Sequence, residues 1–142
     1  METNTETIKD PQIFITKEAR ELFDNMKSRL PEFRSFENKD FVVLAAMFGV
    51  RYKKRRPLKP QDTEKSGFTR ERYLSTYEIA VFRALAINEK GDVVAIKDPK
   101  YIYSLVEEYC NGGVSDLKEF IYGDPASLSK KLASKLREII TK

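Results

Sequence analysis

Apolar residues recur at helical spacing in several separate stretches of this chain, a pattern that predicts a protein built mainly of helices. Ala19, Leu22, Phe23, Met26 and Leu30 fall at i, i+3, i+4, i+7 and i+11. They form one stripe on a helix over Lys17 to Leu30, which Pro31 stops and Thr16 is placed to cap. Just before it, Gln12 to Thr16 alternates polar and apolar residues, with Ile13 and Ile15 on one side, as a short strand does. From Asn38, read as an N-cap, the chain enters Phe41 to Phe48, apolar all round and therefore to be wrapped by other elements as the central helix. Gly49 and Pro57 mark its exit, so the run Lys53-Lys-Arg-Arg56 is delivered at the C-terminal end of the element expected to be most buried, where cations suit the helix dipole.

Residues 57 to 68 carry Pro57, Pro60, Ser66 and Gly67 and read as an exposed loop. Thr69 is read as the cap of a third helix running to Asn88, whose broad apolar side (Leu74, Tyr77, Val81, Ala84 and Leu85, widened by Ile79, Phe82 and Ala86) implies two packing neighbours. Asp92 to Ile96 is too short for periodicity to decide between a strand and a buried connector. Asp98-Pro99 reads as N-cap then N1 of a helix with Ile102, Leu105, Val106 and Tyr109 on one face, ended by Asn111-Gly112-Gly113. A short helix from Ser115 to Tyr122 follows. Asp124-Pro125 starts a last helix, with Leu128, Leu132, Leu136 and Ile140 on its buried edge and Lys130, Lys131, Lys135 and Arg137 wet. The fold class is thus mainly α: residues 1–11 form a flexible N-terminal tail, and 12–142 form a single-domain bundle of five to six helices with one or two short β-strands and an exposed basic loop at about 53–69.

Composition narrows the chemistry. The 142 residues include no histidine and one cysteine, Cys110, which excludes a Cys/His zinc site, a histidine-activated nucleophile and an internal disulfide. With no signal-peptide head and no apolar run of membrane-spanning length, the chain is expected to be cytoplasmic and to have no membrane partner. The net charge of +4 is unevenly spread. Arg51, Lys53, Lys54, Arg55, Arg56, Lys59, Lys65, Arg70 and Arg72 give the segment 51–72 a local net of +6, and the remainder of the chain sums to −2. A concentrated field of that kind holds a polyanion by counterion release, so these nine side chains are the candidate nucleic-acid-binding residues. Tyr52, Tyr73 and Tyr77 flank the segment and are read chiefly as packing residues, with stacking on a base as the alternative.

Other chemistry is thinly represented. Asp98-Pro99-Lys100 after Asp92 is the nearest approach to a metal-dependent nuclease motif, but helix-start chemistry explains it better. Glu107 and Glu108 are adjacent on a helix, face different directions and read as a solvated face. Gly112-Gly113 reads as a helix end, and Cys110 as a small buried hydrophobe. No catalytic residue, metal ligand or cofactor is assigned. The order strand, helix, helix over 12–52 is similar to the ribbon-helix-helix of small DNA-binding dimers, which leaves a homodimer open.

Gly49-Val-Arg51, Arg56-Pro57-Leu58 and above all Val106-Glu-Glu-Tyr-Cys-Asn-Gly-Gly-Val114, with Leu117 behind it, resemble the small Dnd-system-associated proteins over about Ile13 to Phe120. Cys110 stands where that motif usually has Ala, and Val114 where it has Leu. The resemblance implies a setting beside the genes for DNA phosphorothioation, a sulfur-for-oxygen change in the DNA backbone linked to restriction and defence. The family has no catalytic residues to carry over. Charge and setting together lead to the expectation of a non-enzymatic accessory protein that holds the phosphate backbone of duplex DNA without reading sequence. The alternative is an adaptor that docks the same basic segment on an acidic surface of another protein of that modification or restriction system.

Overall fold

A computed structural model describes residues 10–62, 66–123 and 128–141, and these form six α-helices and one two-stranded antiparallel ribbon. Of the expected tail, residues 1–9 lie outside the described residues, and Asp10 and Pro11 already belong to the folded body. The Pro11 carbonyl accepts the Glu71 N–H at 3.0 Å, and Asp10 Oδ1 accepts the Arg72 N–H at 2.9 Å. Strand β1 is Gln12–Ile13, and its partner β2 is Thr69–Arg70, in the register Gln12 to Arg70 and Ile13 to Thr69. Thr69 is therefore a buried strand residue and not a helix cap.

Helix α1 (Lys17–Arg29) is capped as its sequence dictates, with Thr16 Oγ1 accepting the Ala19 N–H at 3.1 Å. Helix α2 (Asn38–Tyr52) starts one residue earlier than Asn38 would set it: Glu37 is the N-cap, in a reciprocal pair with Asp40. Asn38 is freed to donate its amide to the Phe68 carbonyl at 2.7 Å, tying the helix start to the ribbon. Helix α3 (Thr76–Lys90) is started by a box of Ser75 and Glu78. Glu78, Phe82 and Ala86 of α3 are buried, and the helix packs on two neighbours as its broad apolar side implies, the helix over Pro99–Gly112 and the turn at Val93–Lys97. Val93–Lys97 is a 3-10 turn capped by Asp92, so the second strand lies at 69–70 and not at 92–96. Asp98 and Pro99 start α4 (Pro99–Gly112) as expected, with Asp98 Oδ1 accepting the Tyr101 N–H at 3.1 Å. Helices α5 (Val114–Tyr122) and α6 (Leu128–Ile140) complete the chain, and the Asp124-Pro125 start signal lies outside the described residues. No helix among the described residues is long and apolar enough to cross a membrane.

The centre of the molecule is α4, which buries seven residues against five for α2 and packs on α2, α3, α5 and β1. Leu105, Val106 and Cys110 line its inner face beside Val42, Ala45 and Leu117 in one continuous core. A second layer is aromatic: Phe23 stacks on Phe41 at 5.2 Å between centroids, and Phe68 and Phe36 close around the pair. Helix α6 departs from its expected packing. Leu128 is buried, whereas Leu132, Leu136 and Ile140 are exposed to 38, 57 and 71 per cent.

Three glycines let α2 and α4 touch backbone to backbone. A Cβ at Gly49 would stand 2.1 Å from the Tyr109 carbonyl oxygen, one at Gly113 would stand 2.0 Å from that of Ala45, and one at Gly112 would stand 2.2 Å from that of Lys54. These are backbone neighbours, so relief requires the helices to separate. Gly113→Ala is therefore expected to cost about 3 kcal/mol of unfolding free energy in urea, the upper end of overpacking effects. Gly91→Ala meets no atom but sits at φ 75°, and costs about 1 kcal/mol from the left-handed backbone alone.

Candidate nucleic-acid interface

The candidate residues fall into two groups anchored on different elements. Arg51 to Arg56 leave the C-terminus of α2 beside the end of α4, and Arg70 and Arg72 lie at β2 and in the turn that follows it. Lys65 lies outside the described residues. The first group is shaped by the glycine contact: the chain turns at Lys53, which adopts φ 58°, ψ 44°, and its next residues run along α4 with the Arg56 N–H donating to the Glu108 carbonyl at 2.9 Å.

In that position most of the cations meet acids of their own chain. Arg51 reaches Glu138 of α6 at 3.4 Å, Lys54 lies 3.0 Å from Asp116 of α5, and Arg56 lies 3.0 Å from Glu18 of α1. The Lys54–Asp116 pair is close in distance but not aligned as a hydrogen bond. Arg55 is the most enclosed of this first group: it contacts Glu108 at 2.9 Å and Glu89 at 3.1 Å, and its guanidinium lies 5.6 Å from the centre of the Tyr109 ring. The Tyr109 hydroxyl donates to Glu89 at 2.6 Å, and burial with that bond pushes its pKa up to about 12. Arg70 and Arg72 both face Asp10, at 3.8 and 3.3 Å. Thus six of the nine are paired internally. Lys53 and Lys59 are exposed and have no ion pair among the described residues.

Each pair is partly exposed and individually worth roughly 0–1 kcal/mol. Their joint effect on the field is larger, because an ion pair a few ångströms across presents a dipole that screening removes within about 8 Å at physiological salt. Tyr52 and Tyr73 are exposed and lie under cations, with Arg51 6.0 Å and Lys135 5.8 Å from the Tyr52 ring and Arg72 5.4 Å from that of Tyr73. Tyr52 also packs at the rim against Phe48, 6.3 Å between centroids, whereas Tyr73 and Tyr77 are more than half exposed, so none of the three is a core residue. An open groove of about 860 Å³ between α1 and α5 abuts Arg55 and Arg56, but Glu18 and Glu21 share its walls with Arg29 and Lys118. Its charge is mixed.

Residues read as bystanders carry the supporting structure. Glu107 and Glu108 are half-buried and not a solvated face. Glu108 holds Arg55, and Glu107 Oε2 accepts the Phe14 N–H at 2.8 Å. Asn111, buried at the end of α4, accepts the Thr16 N–H at 3.0 Å and donates to the carbonyls of Phe14 and Glu107 at 3.1 and 2.8 Å. These two side chains act as the strand partner on the free edge of residues 14–16, while β2 occupies the neighbouring positions. Both sides of the first strand are thereby engaged within one chain, whereas a ribbon-helix-helix dimer needs that strand for a second copy. The only sequence signal for Asn111 was a polar residue adjoining an apolar face. Cys110 is fully buried, and burial pushes its thiol pKa far up, so it is inert.

Two outcomes test these placements. Burial, opposed by the Phe14 N–H and aided by nearby Glu108, raises the Glu107 pKa. Its neutral form is thus favoured in the folded state, and the stability it contributes is full below the unfolded carboxylate pKa and falls as pH rises through the folded one. Relative to wild type, Glu107→Gln should be equally stable near pH 4 and more stable near pH 7, read from urea midpoints at both values. Lys53→Gly should raise stability by up to about 1 kcal/mol, because glycine adopts the left-handed backbone without strain.

Comparison with known proteins places this arrangement in a family. No curated protein and no solved structure matches the chain. A family model described as DNA sulphur modification system-associated protein 4 matches residues 12–139, from β1 into the last turn of α6. That span includes the glycine contact between α2 and α4 and both groups of basic residues, and the chain belongs to this DNA sulphur modification system-associated family.

Proposed function

We propose that the protein is a non-enzymatic adaptor of a DNA sulphur modification system, acting in the cytoplasm by holding another protein of that system. The observation that carries this reading is the internal pairing of the basic segment. Side chains that would make an open cationic field instead fasten the end of α2 and the chain that leaves it to α1, α3, α4, α5 and α6 through Glu18, Glu89, Glu108, Asp116 and Glu138. The groups with catalytic potential are also in structural use. Asp98 caps α4, Glu107 holds the Phe14 N–H, and Cys110 is sealed in the core. What the surface offers instead is apolar area, with Met47, Tyr77, Val93, Leu136 and Ile139 each more than half exposed.

The second reading is sequence-independent binding of duplex DNA. It is supported by exposed Lys53 and Lys59 and by the ridge where Arg51, Tyr52 and Lys135 meet. Phosphates can exchange into exposed ion pairs at a cost of about 1 kcal/mol or less for each. The two readings separate in one experiment, in which the protein is mixed with purified proteins of the sulphur modification system and with duplex DNA. The adaptor reading expects a protein complex that survives nuclease and is unchanged in Lys53→Ala/Lys59→Ala. It is overturned if association disappears with nuclease, and if the wild type binds duplex DNA with a log–log salt slope about 2 units steeper than that of the double variant.

A further inference from the structure

Helix α6 is mounted on the molecule by its polar side. Lys131 donates to the Ile121 carbonyl at 2.9 Å, Lys135 reaches the Tyr52 hydroxyl at 3.5 Å, and Glu138 meets Arg51 at 3.4 Å. These residues stand at i, i+4 and i+7, so they define the face turned to the body. Advancing one residue turns the helix by about 100°. There lie Leu132, Leu136 and Ile139, also at i, i+4 and i+7, exposed to 38, 57 and 60 per cent, and Ile140 extends them. A water-facing helix ordinarily carries its apolar stripe inward; this one buries Leu128 at its start and carries the rest of the stripe outward, and a helix whose leucines were needed only for its own fold would be rolled the other way.

We propose that this stripe is a docking helix for another protein of the sulphur modification system, one that presents an apolar groove with an acidic rim. The inference rests on the adaptor reading and names the surface that performs it. Spacing at i, i+4 and i+7 is the anchor pattern of a helix laid into a groove. The rim chemistry follows from charge. Exposed Arg137 lies on the solvent side of the stripe, Lys131 and Lys135 lie on its other side, Lys130 borders the groove shared with Glu119 of α5, and the single acid of the helix, Glu138, is held by Arg51 and Lys135. The same distribution argues against a second copy of this chain. Packing two such helices sets lysine and arginine against lysine and arginine on either flank, whereas an acidic rim is complementary on both. Membership of a family tied to DNA sulphur modification supplies protein neighbours for the surface.

The test uses the full chain and each purified protein of the system as probe, by titration calorimetry, with Leu136→Glu and with Arg137→Glu as the charge variant. Leu136 is exposed, so the first variant should keep the wild-type thermal midpoint. The expected result is that one probe binds the wild type, that Leu136→Glu weakens it at least about tenfold, as expected for a central anchor, and that the charge variant weakens it more at low salt than at high salt. Binding unaltered in Leu136→Glu would overturn the assignment of α6 and leave the adaptor reading standing. Failure of the wild type to bind any probe would remove both. Two controls carry the other occupants: self-association abolished by Leu136→Glu would give the face to a second copy, and retention on vesicles containing anionic phospholipid, lost in the same variant, would give it to a membrane surface. Either result overturns the proposal.

Discussion

The rest of the structure depends on the backbone contact between α2 and α4. Gly49 lies against the Tyr109 carbonyl, Gly113 against Ala45, and Gly112 against Lys54, at separations that leave no space for a Cβ. Because the two helices meet at their C-terminal ends, the chain leaving α2 has one course open to it, along the last turn of α4. Lys54 to Arg56 are thereby set against Glu108 on that helix and against acids from its neighbours. The packing constraint and the electrostatic arrangement are one feature of the molecule.

This coupling changes what the basic segment means. As a string of residues, 51–72 carries a local net of +6, and such a charge would hold a polyanion. Once folded, six of its nine cations face carboxylates of the same chain. The acids lie on five different helices and, for Arg70 and Arg72, at Asp10 beside the ribbon, all outside the basic segment, so folding offsets much of an excess that the segment's own acids leave open. Arg51, Lys54, Arg55 and Arg56 link the end of α2 and the chain leaving it to every other helix of the bundle, and the binding surface is sought instead where the fold leaves something unmatched. Helix α6 leaves Leu132, Leu136 and Ile139 to water, and the proposed docking surface lies there.

Local signals were legible where they act locally. Thr16 as a cap, Pro31 as a stop and Asp98-Pro99 as a start require only a few neighbours, and each is found where the sequence puts it. Residues whose role depends on distant partners were misread. Thr69 has the chemistry of a cap but is drawn into a ribbon by pairing with Ile13, and Asn38 gives up its cap to Glu37 because Phe68 offers it a carbonyl. Glu107 and Asn111 look like surface and helix-end residues until the strand that they hold is placed beside them. The α6 stripe was read correctly as a stripe, but periodicity does not say which way a helix is rolled. The pairing of the candidate site's cations was not legible for a similar reason: counting charge along a chain omits the acids brought to it by folding.

The central claim, that six cations of the basic segment are paired within the fold, is tested most directly by a double-mutant cycle at its most connected cation, Arg55, which contacts two carboxylates and an aromatic ring. Arg55→Ala, Glu108→Ala and the combined variant are unfolded in urea alongside the wild type. The account predicts a coupling free energy of about 1 kcal/mol, which added salt reduces only slightly, at the upper end for surface pairs because this one is partly buried and shared with Glu89. Strict additivity of the two substitutions would mean that Arg55 is free in solution and that the cationic field is open after all.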